Sequence, residues 1–397
     1  MLIKKVVVDR ADRLYQLPPD ISSFIPGMRR RLKSNKVKIL DLASFNWIDA
    51  FPSDKEITSE SLKPASENDI EQLKTELAEW YNSYHGANLE PTKEIYIGGS
   101  ISNLMWQIAL TFIDHSDIAF VPELGLPLYH RLVTACGGQA LSYVISAKNH
   151  WLPDYDRITS PLGRIARLMF LNSPHNPTGA ELNEKTITDL IWIASREHIA
   201  IIIDAAYATL SGRKPVSFIS VKGGKNVGVE VGSFSYTFGL PSLPLGFAVG
   251  NREIISGIRQ TSKFFNIHIP KYYLEFITTA IRQFPSDSLK EIRKTINTNT
   301  SEANKLLSIL ELEKAGFDSI PFLWAKTNGR KQSTTTVRQL YRRAHIQSVP
   351  GVAFGNSGEG YIRFSTTASA DTYILAQENA KKRLRILKRD DDDEGSD

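Results

Sequence analysis

The fold of this chain of 397 residues is indicated most clearly by NSPHNPTGAEL, residues 172–182. This stretch follows the apolar run ARLMFLNSP, which starts at Ala166, and it precedes a helical pattern near 184–197. A proline-stiffened turn before a helix explains any single Asn-Pro or Thr-Gly pair in it. The complete string is more specific than either pair, so its position between a buried strand and a helix is the starting point for the fold.

Short apolar runs alternate with helical patterns on both sides of this stretch. Seven runs are typical of buried strands: KEIYIGG (93–99), IAFVPEL (118–124), QALSYVI (139–145), ARLMFLNSP (166–174), IAIIIDAAY (199–207), GVEVGSFS (228–235) and LGFAVGN (245–251). Helices are expected from about 102 to 112, after Pro127 and near 184–197. Continuous apolar strands separated by helices predict a mostly parallel sheet covered on both faces, which is an α/β fold with three αβα layers.

The pattern changes near Ile254, where it becomes mostly helical. Two strand-rich segments, SIPFLWAK (319–326) and EGYIRFS (359–365), lie between the later helices and predict a smaller α+β domain. The last residues form an acidic block, which is typical of a disordered tail. The predicted divisions are an N-terminal segment packing with the small domain (1–45), the large αβα domain (46–285), the small domain (286–388) and the acidic disordered tail (389–397).

Composition excludes several classes of protein. The net charge of +5 is mild and the basic residues are scattered, so nucleic acid is not an expected partner. The single cysteine, Cys136, excludes an intramolecular disulfide, and the 8 scattered histidines show no metal-binding pair, so no metal is expected. The start MLIKKVVVDR does not read as a secretory signal, and no apolar run approaches the roughly 18 residues of a membrane span. The expected compartment is the cytoplasm.

Polar side chains follow four of the predicted strands. They lie at Gly99-Ser100, 172–179, 204–207 and 233–236. Because ligands of open parallel sheets bind beyond the carboxyl ends of the strands, these residues predict a ligand cleft. His175 lies within the second group, and we expect it on the surface of the turn.

Five ordered segments resemble the pyridoxal-phosphate-dependent aminotransferases of fold type I, classes I and II, and the diaminopimelate and aspartate aminotransferase branches in particular. They are ADRLYQLPPDI (11–21), NSPHNPTGAEL (172–182), IIIDAAYATL (201–210), SFSYTFGLPSLPLGFAVGN (233–251) and SVPGVAFGNSGEGYIRFS (348–365). The resemblance covers nearly the whole chain. It implies the aminotransferase fold and a homodimer.

The resemblance also implies roles for residues around the cofactor ring. Asp204 matches the aspartate that pairs with the pyridine nitrogen and so makes the ring an electron sink. Asn176 and Tyr207 match the residues that hydrogen-bond the ring's phenolic oxygen. Arg363, with Asn176, matches the group that holds a substrate carboxylate, for which the planar guanidinium is suited. Each type of residue also occurs in ordinary structural positions, such as a helix cap for Asp204 or a surface strand for Arg363.

The positions implied for the phosphate are Ser100, Ile101, Ser233 and Ser235. Ser100 precedes a predicted helix, whose free N–H groups and dipole favour an anion. A serine at this point is also an ordinary helix cap.

Three departures from the family pattern concern the cofactor directly. Tyr236 stands at the lysine position, and a phenol forms no imine. Pro244 replaces the phosphate-binding arginine, and Leu126 replaces the aromatic ring that stacks on the cofactor. Losing both contacts weakens binding by roughly 30- to 2000-fold. The expected cofactor is therefore pyridoxal or pyridoxamine phosphate held weakly and without a covalent link, or none.

Three hypotheses follow for the function. The favoured one is a repurposed enzyme of a biosynthetic pathway that acts on an amino acid or related carboxylate, with Arg363 binding the carboxylate and Tyr236 as acid or base. A tyrosine with a pKa near 10 favours donating a proton. The second is a non-catalytic protein, either an amino-acid sensor or a structural partner subunit. The third is an ordinary aminotransferase whose lysine is Lys222, Lys225 or Lys263, although their spacing from Ser233 does not fit.

Overall fold

The computed structural model describes residues 10–25, 38–46, 58–161, 163–240, 243–265, 268–327 and 332–393, with the backbone alone for 383–393. Residues 1–9 and 26–37 of the predicted N-terminal segment and the last four residues of the predicted tail therefore lie outside the described residues.

The described chain alternates strands and helices through its first two thirds. The strands are, in chain order, β1 (Leu40–Asp41), β2 (Ile95–Gly99), β3 (Ile118–Pro122), β4 (Gln139–Tyr143), β5 (Ala166–Asn172), β6 (Ala200–Asp204), β7 (Gly228–Ser233), β8 (Leu245–Gly250), β9 (Glu313–Lys314), β10 (Phe322–Lys326), β11 (Ile346–Gln347), β12 (Val349–Pro350) and β13 (Tyr361–Ser365). The helices are α1 (Glu67–His85), α2 (Pro91–Glu94), α3 (Ile101–Phe112), α4 (Pro127–Ala135), α5 (Glu184–Glu197), α6 (Gly224–Val227), α7 (Phe234–Phe238), α8 (Arg252–Ser262), α9 (Lys271–Arg282), α10 (Asp287–Ile309), α11 (Ser333–Gln339) and α12 (Ala370–Asp393).

Seven strands form the large sheet, in the order β2-β8-β7-β6-β5-β3-β4. β8 is antiparallel to both of its neighbours, and the other neighbouring pairs are parallel. The mostly parallel sheet predicted from the sequence is confirmed, and each of the seven apolar runs contains one of its strands.

Both faces of this sheet are buried, because successive side chains of a strand point to opposite faces. In β5, Leu168 and Phe170 pack with helices α3, α4 and α8, whereas Met169 and Leu171 pack with α1, α5 and α9. These four side chains are at most 2% exposed. The three αβα layers are therefore as predicted.

A second sheet, in the order β12-β13-β10-β9, lies in the later part of the chain together with α10 and α12. β1 pairs in parallel with β11, and the amide of Ser365 donates to the carbonyl of Leu42, so residues 40–42 pack against this part. The exact divisions of the chain at residues 45 and 285 stay predictions.

The last helix extends into the predicted acidic tail. α12 continues to Asp393, and the disorder expected for residues 389–397 stays a prediction. The helix is anchored earlier, where Tyr373, Ala376 and Ala380 are fully buried. Extending a nucleated helix costs little compared with starting one, which accounts for the continuation.

Among the described residues, no helix combines the length and apolar character needed to cross a membrane.

Candidate ligand cleft at the carboxyl ends of the strands

The loop after β5 is fixed by its own side chains. Asn172 accepts a hydrogen bond at Oδ1 from the amide of Asn176 at 2.7 Å and donates from Nδ2 to the carbonyl of Asp204 at 2.9 Å. Gly179 has a φ of +74°, and a Cβ there would lie 2.2 Å from the carbonyl oxygen of Phe317. Glycine is needed at this point because a side chain fits neither the backbone conformation nor the space.

The prediction that His175 lies on the surface of the turn is wrong. Its side chain is 3% exposed, and its two ring nitrogens contact Thr178 Oγ1 at 2.8 Å and the carbonyl of Leu124 at 2.9 Å. Burial lowers the pKa of His175 to about 4, so it is neutral at pH 7. It joins two loops at the edge of the sheet.

Asp204 ends β6, beside Asn172 in the neighbouring strand. Its Oδ2 accepts a hydrogen bond from the hydroxyl of Tyr129 at 2.8 Å, and its Oδ1 accepts one from the amide of Ala206 at 3.1 Å. The carboxyl is 3% exposed. Burial raises its pKa to about 6, although both donors act in the opposite direction.

Arg363, Asn176 and Tyr207 form a continuous chain of hydrogen bonds. Arg363 Nη1 donates to Asn176 Oδ1 at 3.0 Å, and Asn176 Nδ2 donates to the hydroxyl of Tyr207 at 3.2 Å. All three side chains are buried. The structure therefore brings together the residues implied for the carboxylate and for the phenolic oxygen of the ring, whose roles stay predictions.

The guanidinium of Arg363 is held on two further sides. Its carbon lies 3.9 Å from the ring centre of Phe322 and 4.9 Å from that of Phe354, and Nη2 donates to the carbonyl of Ala43 at 3.0 Å. Nε is buried and has no hydrogen-bond partner among the described residues. Burial lowers the pKa of Arg363 to about 10, so it remains a cation at pH 7. A buried cation with an unused donor can pair with an anionic ligand.

Tyr236 lies in the same group of side chains. Its ring centre is 5.6 Å from that of Tyr207, and the ring is half-buried. Burial and then the neighbouring Tyr207 and Asp204 raise the pKa of Tyr236 well above its usual value near 10. The phenol is therefore protonated at pH 7 and can donate a hydrogen bond.

The three serines implied for the phosphate lie along the same edge of the sheet. Ser100 caps α3 and accepts from the amide of Asn103, and Ser233 caps α7 and accepts from the amide of Tyr236, both at 3.4 Å. Ser235 exchanges hydrogen bonds with the backbone of Leu243, accepting at 2.9 Å and donating at 3.2 Å.

The remaining predicted positions are apolar. Ile101 is half-buried and packs against Tyr207 and its neighbours as well as against the α3 face of the sheet. Leu126 is half-buried at the start of α4. Pro244 is exposed and precedes β8.

These residues fit only part of pyridoxal phosphate. A buried carboxylate at Asp204, with Asn176 and Tyr207, suits the polar atoms of a pyridine ring. At the lysine position the phenol of Tyr236 forms no imine. The described phosphate positions offer hydroxyl groups. At the position of the family's phosphate-binding arginine stands Pro244, which has neither a charge nor a donor. The site does not fit a cofactor bound through a lysine.

Two of the alternative lysines lie at the opposite edge of the sheet. Lys225 precedes β7 and donates to Glu94 Oε2 at 2.9 Å, just before β2 begins, and Lys222 comes three residues earlier. Lys263 follows α8, where Thr261 contacts Thr111 at the end of α3 that is distant from Ser100. Their positions do not support the third hypothesis.

Sequence reasoning missed two kinds of residue. Tyr129 lies three residues after Leu126 in the sequence, but only the fold shows its hydrogen bond to Asp204. The rings of Phe45, Phe322 and Phe354 come from distant segments, and no local pattern signals their meeting.

A family model for aminotransferases of class I and II matches residues 32–377. An LL-diaminopimelate aminotransferase from Halothermothrix orenii is 29% identical over 398 residues, covering 97% of this chain and 99% of that protein. An LL-diaminopimelate aminotransferase from Syntrophobacter fumaroxidans is 29% identical over 391 residues, covering 94% of this chain and 98% of that protein.

Solved structures share the fold. Substrate-bound BacF from Bacillus subtilis superposes with a TM-score of 0.85 at 23% identity, over 95% of this chain and 98% of that chain. A probable N-succinyldiaminopimelate aminotransferase from Thermus thermophilus gives a TM-score of 0.81 at 18% identity, over 92% of this chain and 100% of that chain. At these identities the likeness shows the fold alone.

Proposed function

Because this chain belongs to the class I and II aminotransferase family, we propose that it is an aminotransferase-like enzyme that binds an amino acid or related carboxylate and converts it without a lysine imine. The observation that carries the proposal is the buried cation of Arg363 in one hydrogen-bonded group with Asn176 and Tyr207. The relatives are named as LL-diaminopimelate aminotransferases, which supports an amino-acid substrate and a biosynthetic role.

Arg363 binds the carboxylate of the ligand. Its guanidinium is kept in place by Asn176, by the carbonyl of Ala43 and by the face of Phe322. A donor fixed in this way loses little conformational entropy when a carboxylate arrives. The unused donor at Nε adds a reason for an anionic partner, because an unpaired buried donor is costly.

Tyr236 acts as an acid in this proposal. Its raised pKa keeps the proton on the phenol across the physiological range, so it cannot act as a base, and it gives a hydrogen bond, or a proton to a strongly basic atom of the ligand. Asp204, with a pKa of about 6, is mainly ionised at pH 7. In this proposal its carboxylate acts as a base or pairs with a cationic group of the ligand.

Pyridoxal or pyridoxamine phosphate enters this proposal only as a weak, non-covalent ligand. Asp204, Asn176 and Tyr207 support the ring, whereas Tyr236 and Pro244 oppose the covalent link and the phosphate contact. The proposed assembly is a homodimer, as is typical of the family.

The test is to incubate the protein with a panel of L-amino acids and 2-oxo acids, with and without pyridoxal phosphate, and to monitor the reaction by NMR. We expect a product that differs from those of amino-group exchange between an amino acid and a 2-oxo acid. Arg363→Gln should not form this product. Stoichiometric exchange of an amino group between substrates would show ordinary transamination instead. Binding that depends on Arg363 without any turnover would favour the non-catalytic alternative, an amino-acid sensor or partner subunit.

A further inference from the structure

Four aromatic rings form a closed circuit beside Arg363. Neighbouring ring centres are 5.0 Å apart for Phe45 and Tyr236, 5.6 Å for Tyr236 and Tyr207, 6.0 Å for Tyr207 and Phe322, and 6.4 Å for Phe322 and Phe45. All four spacings lie in the range of favourable aromatic pairs. We call these four residues the aromatic box.

The box has a closed side and an accessible side. Phe322 is 3% exposed and Tyr207 is 9% exposed, so these two rings belong to the interior. Phe45 and Tyr236 are half-buried and come from two distant segments of the chain. This pair presents the part of the box that a ligand can reach.

The box and the carboxylate site share one wall. The guanidinium of Arg363 lies on the face of Phe322, and Asn176 links Arg363 to the hydroxyl of Tyr207. Phe322 and Tyr207 thus belong to the box and also lie beside Arg363 and Asn176, so a carboxylate paired with Arg363 would lie next to the box.

We infer that the carboxylate ligand of this cleft carries an aromatic ring, which packs against Phe45 and Tyr236. The inference rests on the proposed function, since it assumes the carboxylate at Arg363, and it adds the class of side chain. A ring of the ligand makes edge and face contacts with the box. A charged side chain in the same place loses water without gaining a partner from the rings.

The experiment measures binding of L-phenylalanine, L-alanine and diaminopimelate to the full chain by calorimetry. We expect L-phenylalanine to bind about 10- to 100-fold more tightly than L-alanine, from burial of its ring. Phe45→Ala removes most of this preference and leaves L-alanine binding within about threefold, because alanine does not reach the box.

Two matched variants complete the experiment. Phe112→Ala removes a half-buried phenylalanine at the far end of α3 and leaves the preference unchanged. Tyr236→Phe keeps the ring and also retains the preference. The wild type and the four variants, Arg363→Lys included, are first compared by thermal unfolding, so that a misfolded variant is recognised.

The results separate this inference from the proposed function. One outcome is binding that weakens in Arg363→Lys but shows no preference for L-phenylalanine, or that prefers diaminopimelate. This outcome overturns the inference of an aromatic ligand and leaves the proposed carboxylate site in place. The same preference in Phe45→Ala overturns the role of the box. If none of the three ligands shows binding that depends on Arg363, both the inference and the proposed function are overturned.

Discussion

Arg363 and Asn176 are joined by a hydrogen bond of 3.0 Å between Nη1 and Oδ1, although they are separated by 187 positions in the chain. The same amide donates to Tyr207, which follows β6. The small sheet, which carries Arg363 on β13, and the large sheet are thereby connected at the cleft. A change at Asn176 therefore affects the surroundings of both Arg363 and Tyr207.

Asn176→Asp is expected to weaken binding of a carboxylate ligand by roughly 10-fold or more, because the new carboxylate pairs with Arg363 and repels the ligand. Calorimetric titration with an amino acid that the wild type binds measures the change in affinity. Asn251→Asp is the control, since Asn251 caps α8 and aspartate is an equally good cap. Unchanged affinity in Asn176→Asp would mean that the ligand does not use Arg363.

Tyr129→Phe removes the hydroxyl that donates to Asp204. The donor favours the ionised carboxylate, so its loss raises the pKa of Asp204 further above its value of about 6. At pH 8 the carboxyl is ionised, and losing the donor lowers the free energy of unfolding by about 2–3 kcal/mol. At pH 5 the carboxyl is mostly protonated, and the loss is about 1 kcal/mol. Urea unfolding at both values measures this.

Tyr143→Phe is the matched control for that variant. Tyr143 is also fully buried and donates to a neutral acceptor, the carbonyl of Phe170, at 2.9 Å. We expect a loss of about 1 kcal/mol that is the same at pH 5 and pH 8. An equal pH dependence in the two variants would argue against the coupling of Tyr129 to Asp204.

Glu230 gives a pH dependence outside the cleft. Its side chain, 4% exposed, accepts hydrogen bonds from Ser217 Oγ at 2.9 Å and from the amide of Phe218 at 2.6 Å. Burial nevertheless raises its pKa to about 7. The folded state therefore binds a proton on Glu230 more tightly than the unfolded state does. The stability gained from this protonation is complete below about pH 4.5 and is lost as the pH rises through about 7.

Glu230→Gln should abolish this loss. Relative to the wild type, the variant gains on the order of 3 kcal/mol between pH 4 and pH 8, the equivalent of its pKa shift. Chemical unfolding across this range measures the gain, and Glu378→Gln on the exposed face of α12 serves as control. Parallel stability curves for wild type and Glu230→Gln would contradict the raised pKa.

Thr209 positions the turn that carries Tyr236. Its Oγ1 donates to the carbonyl of Thr237 at 2.7 Å, and its carbonyl accepts from Arg293 Nε at 2.8 Å. Thr209→Val keeps the shape and removes the hydroxyl, at a cost of about 1–2 kcal/mol in the free energy of unfolding. Thr209→Ser should recover most of it. Thermal unfolding compares the two, and equal losses would assign the effect to packing instead.

The strands and their order of appearance were predictable because each is a continuous apolar run buried on both faces, as β5 shows with Leu168 to Leu171. The polar residues after these runs, Asp204 among them, were predictable from the rule that ligands lie beyond the carboxyl ends of parallel strands.

Other features depend on contacts between distant segments. The burial of His175 follows from the carbonyl of Leu124 on another loop, and the aromatic box needs Phe45 beside Tyr236. No local period or motif encodes such a meeting. The length of α12 was also not evident from the sequence, because an acidic composition does not register the packed turns that precede it.

Operation of the cleft without a lysine imine is best examined by borohydride reduction in the presence of pyridoxal phosphate, followed by intact and peptide mass spectrometry. We expect no stoichiometric pyridoxyl adduct on the wild type, and an adduct at position 236 in Tyr236→Lys. A stoichiometric adduct on one lysine of the wild type would refute the proposal and restore an ordinary aminotransferase.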